Sequence, residues 1–158
     1  MSLGYFDDLS EAESYFEDER LETEAWDNLA EDSGNLQKSK VIVNAYNRLY
    51  YDKRWELPTY AEATDAQIVK LKKANGETAY YLAIHLADED RRKGIQAQGV
   101  IEAGVVKEKY AEGMLMNLPV PPFVEAVLEE FEIEVPSFGA IDLARDEEES
   151  VKTKVHKF

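Results

Sequence analysis

The segment ANGETAYYLAIHL, residues 74–86, decides the fold class of this chain. Its apolar side chains recur at the three- and four-residue spacing of an amphipathic helix, which places Ala79, Leu82 and Leu86 on one face. The same pattern begins well upstream of this segment. We therefore predict that the segment belongs to the longest helix of the chain, over about 65–87.

This helix has further signals at its ends and in its middle. Thr64 and Gln67 have the spacing of a capping box, in which each side chain accepts the backbone N–H of the other residue. The charged run DEDRRKG, residues 88–94, is expected to end the helix in water. A glycine costs a helix about 1 kcal/mol relative to alanine, so Gly76 predicts that another group packs closely against the helix.

Other parts of the chain also have helical spacing. We predict four more helices: from a capping box at Ser10 and Glu13, over about 22–29, over about 36–53, and from Pro121 and Pro122 onward. The loop over about 54–64 is long enough to reverse the chain. The helices over 36–53 and 65–87 should therefore pack antiparallel.

The predicted fold is mainly α, a small helical bundle with a short β-hairpin or extended loop at about 99–110 and an extended C-terminal arm. The glycine-punctuated segment IQAQGVIEAGVVKEKYAEG, residues 95–113, is the basis for the hairpin. Helical spacing ends near residue 134. We accordingly divide the chain into a helical domain over 1–134 and an extended arm over 135–158.

The composition limits the class of protein. The chain has 158 residues, of which 44% are hydrophobic and 32% are charged, as expected for a soluble domain with its own core. It contains no cysteine, which excludes disulfides, thiolate nucleophiles and zinc–cysteine sites. The acidic start lacks the basic and apolar parts of a signal peptide. No apolar run approaches the roughly 20 residues of a membrane helix, so we expect no membrane partner.

The net charge of −15 is unevenly distributed. Residues 1–32 contain 12 acidic residues and one basic residue, whereas residues 33–98 contain 11 basic and 8 acidic residues. Such an acidic chain lacks the overall basic surface that binds phosphates. The acidic segments either solvate the protein or face a charged partner or a DNA passage, and the sequence leaves both interpretations open.

The sequence contains no constellation typical of an enzyme. Glycine-rich phosphate loops are absent. His85 and His156 lie far apart in sequence, without a partner positioned for acid–base catalysis. The adjacent carboxylates of Asp88, Glu89 and Asp90 lack the alternating ligands and the glycine of a calcium loop. We therefore predict that the protein is not an enzyme and has no catalytic residue, cofactor or metal.

Several stretches, taken in order, resemble the head–tail connector proteins of long-tailed bacteriophages, also called adaptor or head-completion proteins. They cover about residues 4–131 and are GYFDDLSEAESYFEDE (4–19) followed by Trp26, LQKSKVIVNAYNRLYYDKRW (36–55), ETAYYLAIHL (77–86), QAQGVIEAGVVKEKY (96–110) and LPVPPFVEAVLEEF (118–131). Each stretch consists of ordinary residues, so the resemblance depends on their order and spacing.

The resemblance implies a structural virion protein at the head–tail interface, present in the host cytoplasm during assembly. Proteins of this family are small helical subunits that dock as a ring beneath the portal. The implied partners are the portal protein, a tail or stopper (head-closure) protein and further copies of the chain in a twelve-fold ring. DNA would pass through without specific binding. On this hypothesis Glu102 and Glu108 face the lumen, because an acidic wall repels phosphate.

The same layout also resembles a group labelled DnaT-like single-strand DNA-binding proteins. This alternative predicts a single-strand DNA-binding module, supported by Arg91, Arg92 and Lys93 and by the basic balance of the middle third. Single-strand binders combine a basic groove with stacking aromatic side chains. In this chain no aromatic residues interleave with the basic trio, so the connector hypothesis is favoured.

The C-terminal segment VKTKVHKF, residues 151–158, alternates β-branched and basic side chains. Val151, Thr153 and Val155 lie on one side of an extended chain, a pattern that suits a strand. A lone strand satisfies its backbone by pairing with the sheet edge of a neighbour. We predict that the tail is disordered in the isolated subunit, as chain ends commonly are. These three residues and Phe158 would then dock on the portal or on an adjacent subunit.

Overall fold

The protein is mainly helical, as predicted, in a computed structural model that describes residues 2–29, 36–99, 102–103, 108–109 and 119–133. Its helices are α1 (Leu9–Glu19), α2 (Glu24–Asp27), α3 (Leu36–Tyr50), α4 (Asp65–Ala97) and α5 (Pro122–Leu128), and α5 continues as a 3-10 turn (Glu129–Phe131). Two short strands are β1 (Glu102–Ala103) and β2 (Glu108–Lys109). The predicted arm over 135–158 lies outside the described residues.

Helix α4 begins where the sequence predicts and ends ten residues later than predicted. The Thr64 and Gln67 capping box is present at its start. The charged run over 88–94, expected to end the helix, is helical throughout, and that prediction was wrong. Lys93 Nζ lies 2.5 Å from Glu89 Oε1, one helical turn away. Opposite charges at this spacing stabilise a helix, so the run extends α4.

Two contacts tie α3 to α4. The side-chain amide of Asn75 donates to the carbonyl oxygen of Ile42 at 3.4 Å. Six residues further along α3, Arg48 binds Glu89, which lies fourteen residues further along α4. Residues 51–64, here called the returning segment, connect the end of α3 to the start of α4. The predicted antiparallel packing of the two helices stays a prediction.

The start of α1 corrects a second local prediction. The N-cap is Asp8 rather than Ser10, and its side chain accepts the backbone N–H of Glu11 at 3.0 Å. The Glu11 carboxylate accepts the backbone N–H of Asp7 at 2.7 Å. An aspartate caps a helix as well as a serine does. Asp8 with Glu11 therefore takes the role that Ser10 with Glu13 was predicted to have.

The returning segment after α3 is attached to the end of α5. Pro122 begins α5, as predicted. The 3-10 turn that follows ends beside Trp55, which forms an antiparallel β-bridge with Glu132. The backbone N–H of Glu56 donates to the carbonyl oxygen of Phe131 at 2.9 Å. These bonds satisfy a stretch of backbone that would otherwise be an irregular loop.

The core consists of two apolar clusters on either side of the α3–α4 contact. One cluster joins α3, α4, α5 and the returning segment and contains Tyr5, Leu49, Trp55, Leu57, Leu71, Ala74, Val120, Val124, Leu128 and Phe131. The other joins α1 and α2 to α3 and α4 and contains Phe6, Ala12, Phe16, Trp26, Ile42, Ala45, Ala79, Tyr80 and Leu82. Phe16 and Trp26 stack with ring centroids 4.2 Å apart. Both clusters depend on α4, which forms the axis of the fold.

The predicted hairpin is present in the backbone. Glu102 pairs with Lys109 and Ala103 pairs with Glu108 in an antiparallel register. Both strands fall within the predicted range of about 99–110. No helix in the described part of the chain combines the length and apolar character that crossing a membrane requires.

Gly76 is packed as predicted, whereas Gly94 is open. A Cβ atom built on Gly76 would lie 2.7 Å from Cδ1 of the Tyr15 ring, and one on Gly94 would meet no atom within 4 Å. We predict that Gly76→Ala lowers the free energy of unfolding by about 1–3 kcal/mol, because the ring must move. Gly94→Ala should raise it by about 0.5–1 kcal/mol through helix propensity.

Urea unfolding followed by circular dichroism measures both variants. The two substitutions are chemically identical, so the pair separates packing from propensity. Equal stabilisation by both alanines would contradict the close approach of Tyr15 to α4.

Candidate functional site

The residues predicted to carry function fall largely outside the part of the chain that the structure describes. Val151, Thr153, Val155 and Phe158 lie outside the described residues, so the predicted docking strand stays a prediction. Glu102 and Glu108 are placed by their backbone in β1 and β2, and their side chains are outside the described part. Their predicted position at a lumen also stays a prediction.

The acidic segment over residues 1–32 faces lysines of its own chain. Glu13 accepts from Lys38 at 3.2 Å, and Glu19 pairs with Lys73 at 2.8 Å. Glu11 also pairs with a lysine of α4, Lys72, and Arg20 of the acidic segment pairs with Glu77. The charge separation seen along the sequence is therefore partly neutralised by folding.

The basic residues of the alternative hypothesis are also placed beside carboxylates. Arg91 lies 3.8 Å from Asp88, and Lys93 lies 2.5 Å from Glu89 and 3.7 Å from Asp90. The trio lies on the helix α4 rather than on a loop. A groove that binds single-stranded DNA must offer its positive charge to phosphates, and these pairs reduce that charge.

A buried ion pair joins α3, α4 and the segment before α5. Arg48 Nη2 donates to Glu89 Oε1 at 2.5 Å and Arg48 Nη1 donates to Glu89 Oε2 at 2.9 Å, so the ion pair is bidentate. The side chains of Arg48 and Glu89 are only 6% and 4% exposed. Lys93 contacts the same carboxylate, and Arg48 also donates to the carbonyl oxygen of Pro119 at 3.3 Å. The Arg48–Glu89 pair thus ties together three parts of the chain.

The pKa of Glu89 shows which interaction dominates. Burial alone would raise the pKa of this carboxyl, but hydrogen bonds and charges from Arg48 and Lys93 outweigh burial and lower it. Glu89 is therefore ionised at neutral pH. A lowered pKa makes a carboxylate a weak base, and the two cations that lower it, Arg48 and Lys93, belong to α3 and α4.

A shallow groove of about 220 Å³ adjoins this pair and is lined by Tyr81, His85, Asp88, Glu89, Arg92 and Pro119. His85 lies against Tyr81, with ring centroids 4.9 Å apart. In the described part of the chain, no three or more His, Cys, Asp or Glu side chains are grouped so as to hold a metal ion. The groove therefore lies beside the contact between α3 and α4.

The sequence also indicates that Glu89 is buried, although we did not predict this from the helical spacing. The buried stripe of α4 includes Leu71, Asn75, Thr78 and Leu82. Glu89 lies seven residues after Leu82, two turns further along the same face. A charged residue on an apolar stripe indicates a buried partner. That partner, Arg48, lies beside the buried Leu49.

Comparison with family models, with curated proteins and with solved structures found no match for this chain.

Removing the charge of Glu89 should destabilise the fold strongly. We predict that Glu89→Gln lowers the free energy of unfolding at pH 7 by about 3–5 kcal/mol, because Arg48 loses its buried partner. The folded pKa of Glu89 is lowered, so its contribution is complete above about pH 4.3, the value of an unfolded glutamate. That contribution is lost as pH falls through the folded pKa.

Urea unfolding at pH 7 and at pH 3 measures this effect, and the stability of the variant should change less between the two pH values than that of the parent. Asp90→Asn is the matched control, since this neighbour is exposed and its pair with Lys93 spans 3.7 Å. The control should lose at most about 1 kcal/mol. Equal losses for the two variants would contradict the importance of the buried pair.

Proposed function

We propose that this chain is a structural subunit, a head–tail connector of a tailed bacteriophage, which assembles as a ring beneath the portal and surrounds the DNA passage. One observation carries the proposal. Helix α4 has 33 residues, about 50 Å of helix, and its last buried residue is Glu89. None of the described side chains over 90–99 is buried. A helix that extends beyond its own core presents surface to neighbours.

The distribution of exposed apolar side chains supports assembly. Large apolar residues are exposed on several elements rather than in one patch: Leu21, Val43, Tyr51, Val69, Ile84, Phe123 and Ile133. A ring requires two different faces on each subunit, one for each neighbour. Another face must remain for the portal and a further one for the tail or stopper protein. Apolar residues on several sides suit a subunit with several partners.

The resemblance to connector proteins supports the same proposal. Those proteins are small helical subunits, and this chain is mainly helical. The lysines that could form a basic groove, Lys38, Lys72 and Lys73, are engaged by α1 carboxylates. DNA binding through these lysines would require their release. The connector hypothesis therefore has more support than the single-strand DNA-binding alternative. On this hypothesis the protein is part of the virion.

The proposal predicts multimers and no retention of DNA. In native mass spectrometry we expect masses at multiples of the 18.0 kDa subunit, or a ring that forms when the portal of the same genome is added. Adding the chain should not slow the migration of single-stranded DNA in a gel at low salt, the condition that favours phosphate binding most. A chain that stays monomeric with and without the portal, and that retards the DNA, would establish the alternative.

A truncated chain lacking residues 150–158 tests the predicted docking tail in the same assay. We expect portal binding to fall at least tenfold with an unchanged melting temperature. A full-length chain in which Lys152 and Lys154 are replaced by glutamine is the control, because it keeps the apolar side of the strand. Equal binding by the truncated and full-length chains would refute the role of the tail.

A further inference from the structure

The outer face of α3 has an unusual composition for this chain. Helix α3 contains Lys38, Lys40 and Arg48 and no acidic residue, in a protein with a net charge of −15. Lys38 and Arg48 pair with Glu13 and Glu89, so Lys40 is the exposed cation of this helix. Its exposed side is opposite the buried Ile42, Ala45 and Leu49. That side, here called the α3 outer face, consists of Lys40, Val43, Asn44, Asn47 and Tyr51.

These five residues form one continuous stripe along α3 and the turn after it, where the backbone N–H of Tyr51 still donates to the carbonyl oxygen of Asn47. Their spacing of three, four, seven and eleven residues from Lys40 places them on the same side of an α-helix. Tyr51 is 74% exposed and Val43 is also exposed. No described carboxylate pairs with Lys40. The stripe therefore combines two apolar side chains, two asparagines and one lysine, and it is open to solvent.

The turn between α1 and α2 has the opposite character. Leu21 is the most exposed of the large apolar side chains in the described part and projects fully into solvent. Exposed carboxylates surround it in sequence: Glu17, Asp18, Glu22 and Glu24. The neighbouring Glu19 and Arg20 are paired with Lys73 and Glu77 of α4. This turn, here called the Leu21 corner, thus combines an apolar tip with acidic flanks.

We infer that the Leu21 corner of one copy of this chain docks on the α3 outer face of the next copy. The inference rests on the proposed function, because it assigns the two faces by which a ring would form. An acidic flank on one side and a basic, acid-free stripe on the other make the two surfaces electrostatically complementary. Leu21 supplies the apolar tip, and Val43 with Tyr51 supplies the apolar floor.

A second copy fits this pair of surfaces better than another partner. The two surfaces are different, so each copy offers one to each neighbour, and such head-to-tail contacts generate rings or open chains. A nucleic acid would be repelled by the Leu21 corner, whose exposed charges are acidic. The contact also leaves α5 and the C-terminal part of α4 free for the portal and the tail protein.

Disulfide trapping tests the contact cleanly, because the chain has no cysteine of its own. Two single variants, Leu21→Cys and Val43→Cys, are prepared with tags of different mass and mixed under assembly conditions, with the portal present if it is required. After mild oxidation we expect a heterodimer with one tag of each kind, which excludes any link within one copy. The Leu21→Cys variant alone should give at least tenfold less dimer.

Val69 provides the matched control for this experiment. It is an exposed valine on α4, outside both proposed surfaces, so Val69→Cys mixed with Leu21→Cys should give at least tenfold less heterodimer than Val43→Cys does. Assembly observed by native mass spectrometry with equal trapping at Val69 and Val43 would overturn the assignment of faces and leave the ring in place. A chain that stays monomeric with the portal present would overturn both.

Charge reversal provides an independent readout. Lys40→Glu places an acidic group on the α3 outer face and should weaken association at least tenfold, with an unchanged melting temperature. Lys70→Glu is the control for net charge, since Lys70 is exposed near the start of α4 and pairs with Glu130 of its own chain at 2.7 Å. Because this variant loses that pair, its melting temperature is measured alongside. Combining Lys40→Glu with Glu22→Lys should recover at least part of the association. Equal assembly by the Lys40→Glu and Lys70→Glu variants would contradict the contact.

Discussion

The fold depends on one buried ion pair, between Arg48 of α3 and Glu89 of α4. Removing two charges from water costs several kcal/mol for each ion, and only good geometry with further hydrogen bonds repays that cost. Here the guanidinium meets both carboxylate oxygens, Lys93 adds a second cation, and Pro119 supplies a carbonyl acceptor. The pair joins α3 to α4 and to the segment that leads into α5. We expect it also to stabilise the charged run over 88–94, in which Glu89 lies.

The sequence predicted features that depend on neighbours in the chain. The capping box at Thr64, the proline start of α5 and the close packing at Gly76 are local signals, and all three are confirmed. The hairpin at about 99–110 is confirmed in its backbone pairing. These features could be predicted because backbone geometry and a few adjacent side chains determine them.

The features that the sequence did not predict depend on contacts between residues that lie far apart in sequence. The end of α4 could not be predicted from its charged run, because a partner 41 residues away stabilises Glu89. The bridge between Trp55 and Glu132 joins segments that have no helical or strand periodicity. Only the burial of Glu89 could have been predicted from the sequence, because Glu89 lies seven residues after Leu82 on the buried face of α4.

The folded charges also change how the acidic N-terminus is understood. From the sequence alone, residues 1–32 could face a partner, whereas in the structure Glu11, Glu13 and Glu19 pair with lysines of the chain itself. The acidic residues at the Leu21 corner are exposed, and the outer face of α3 has no acid to repel them. Because exposed charges are screened by salt, we expect contacts between copies to be more sensitive to ionic strength than the fold. This difference separates the forces that fold the subunit from those that would assemble it.

Amide hydrogen exchange in the Glu89→Gln variant tests the role of the buried pair most directly. Exchange reports local opening of a helix separately from global unfolding. If the pair orders the end of α4, amides over 88–97 should exchange at least tenfold faster in the variant. Those over 71–82 should change less, because they lie within the two apolar clusters. Equal acceleration in both ranges, or none in either, would contradict the account.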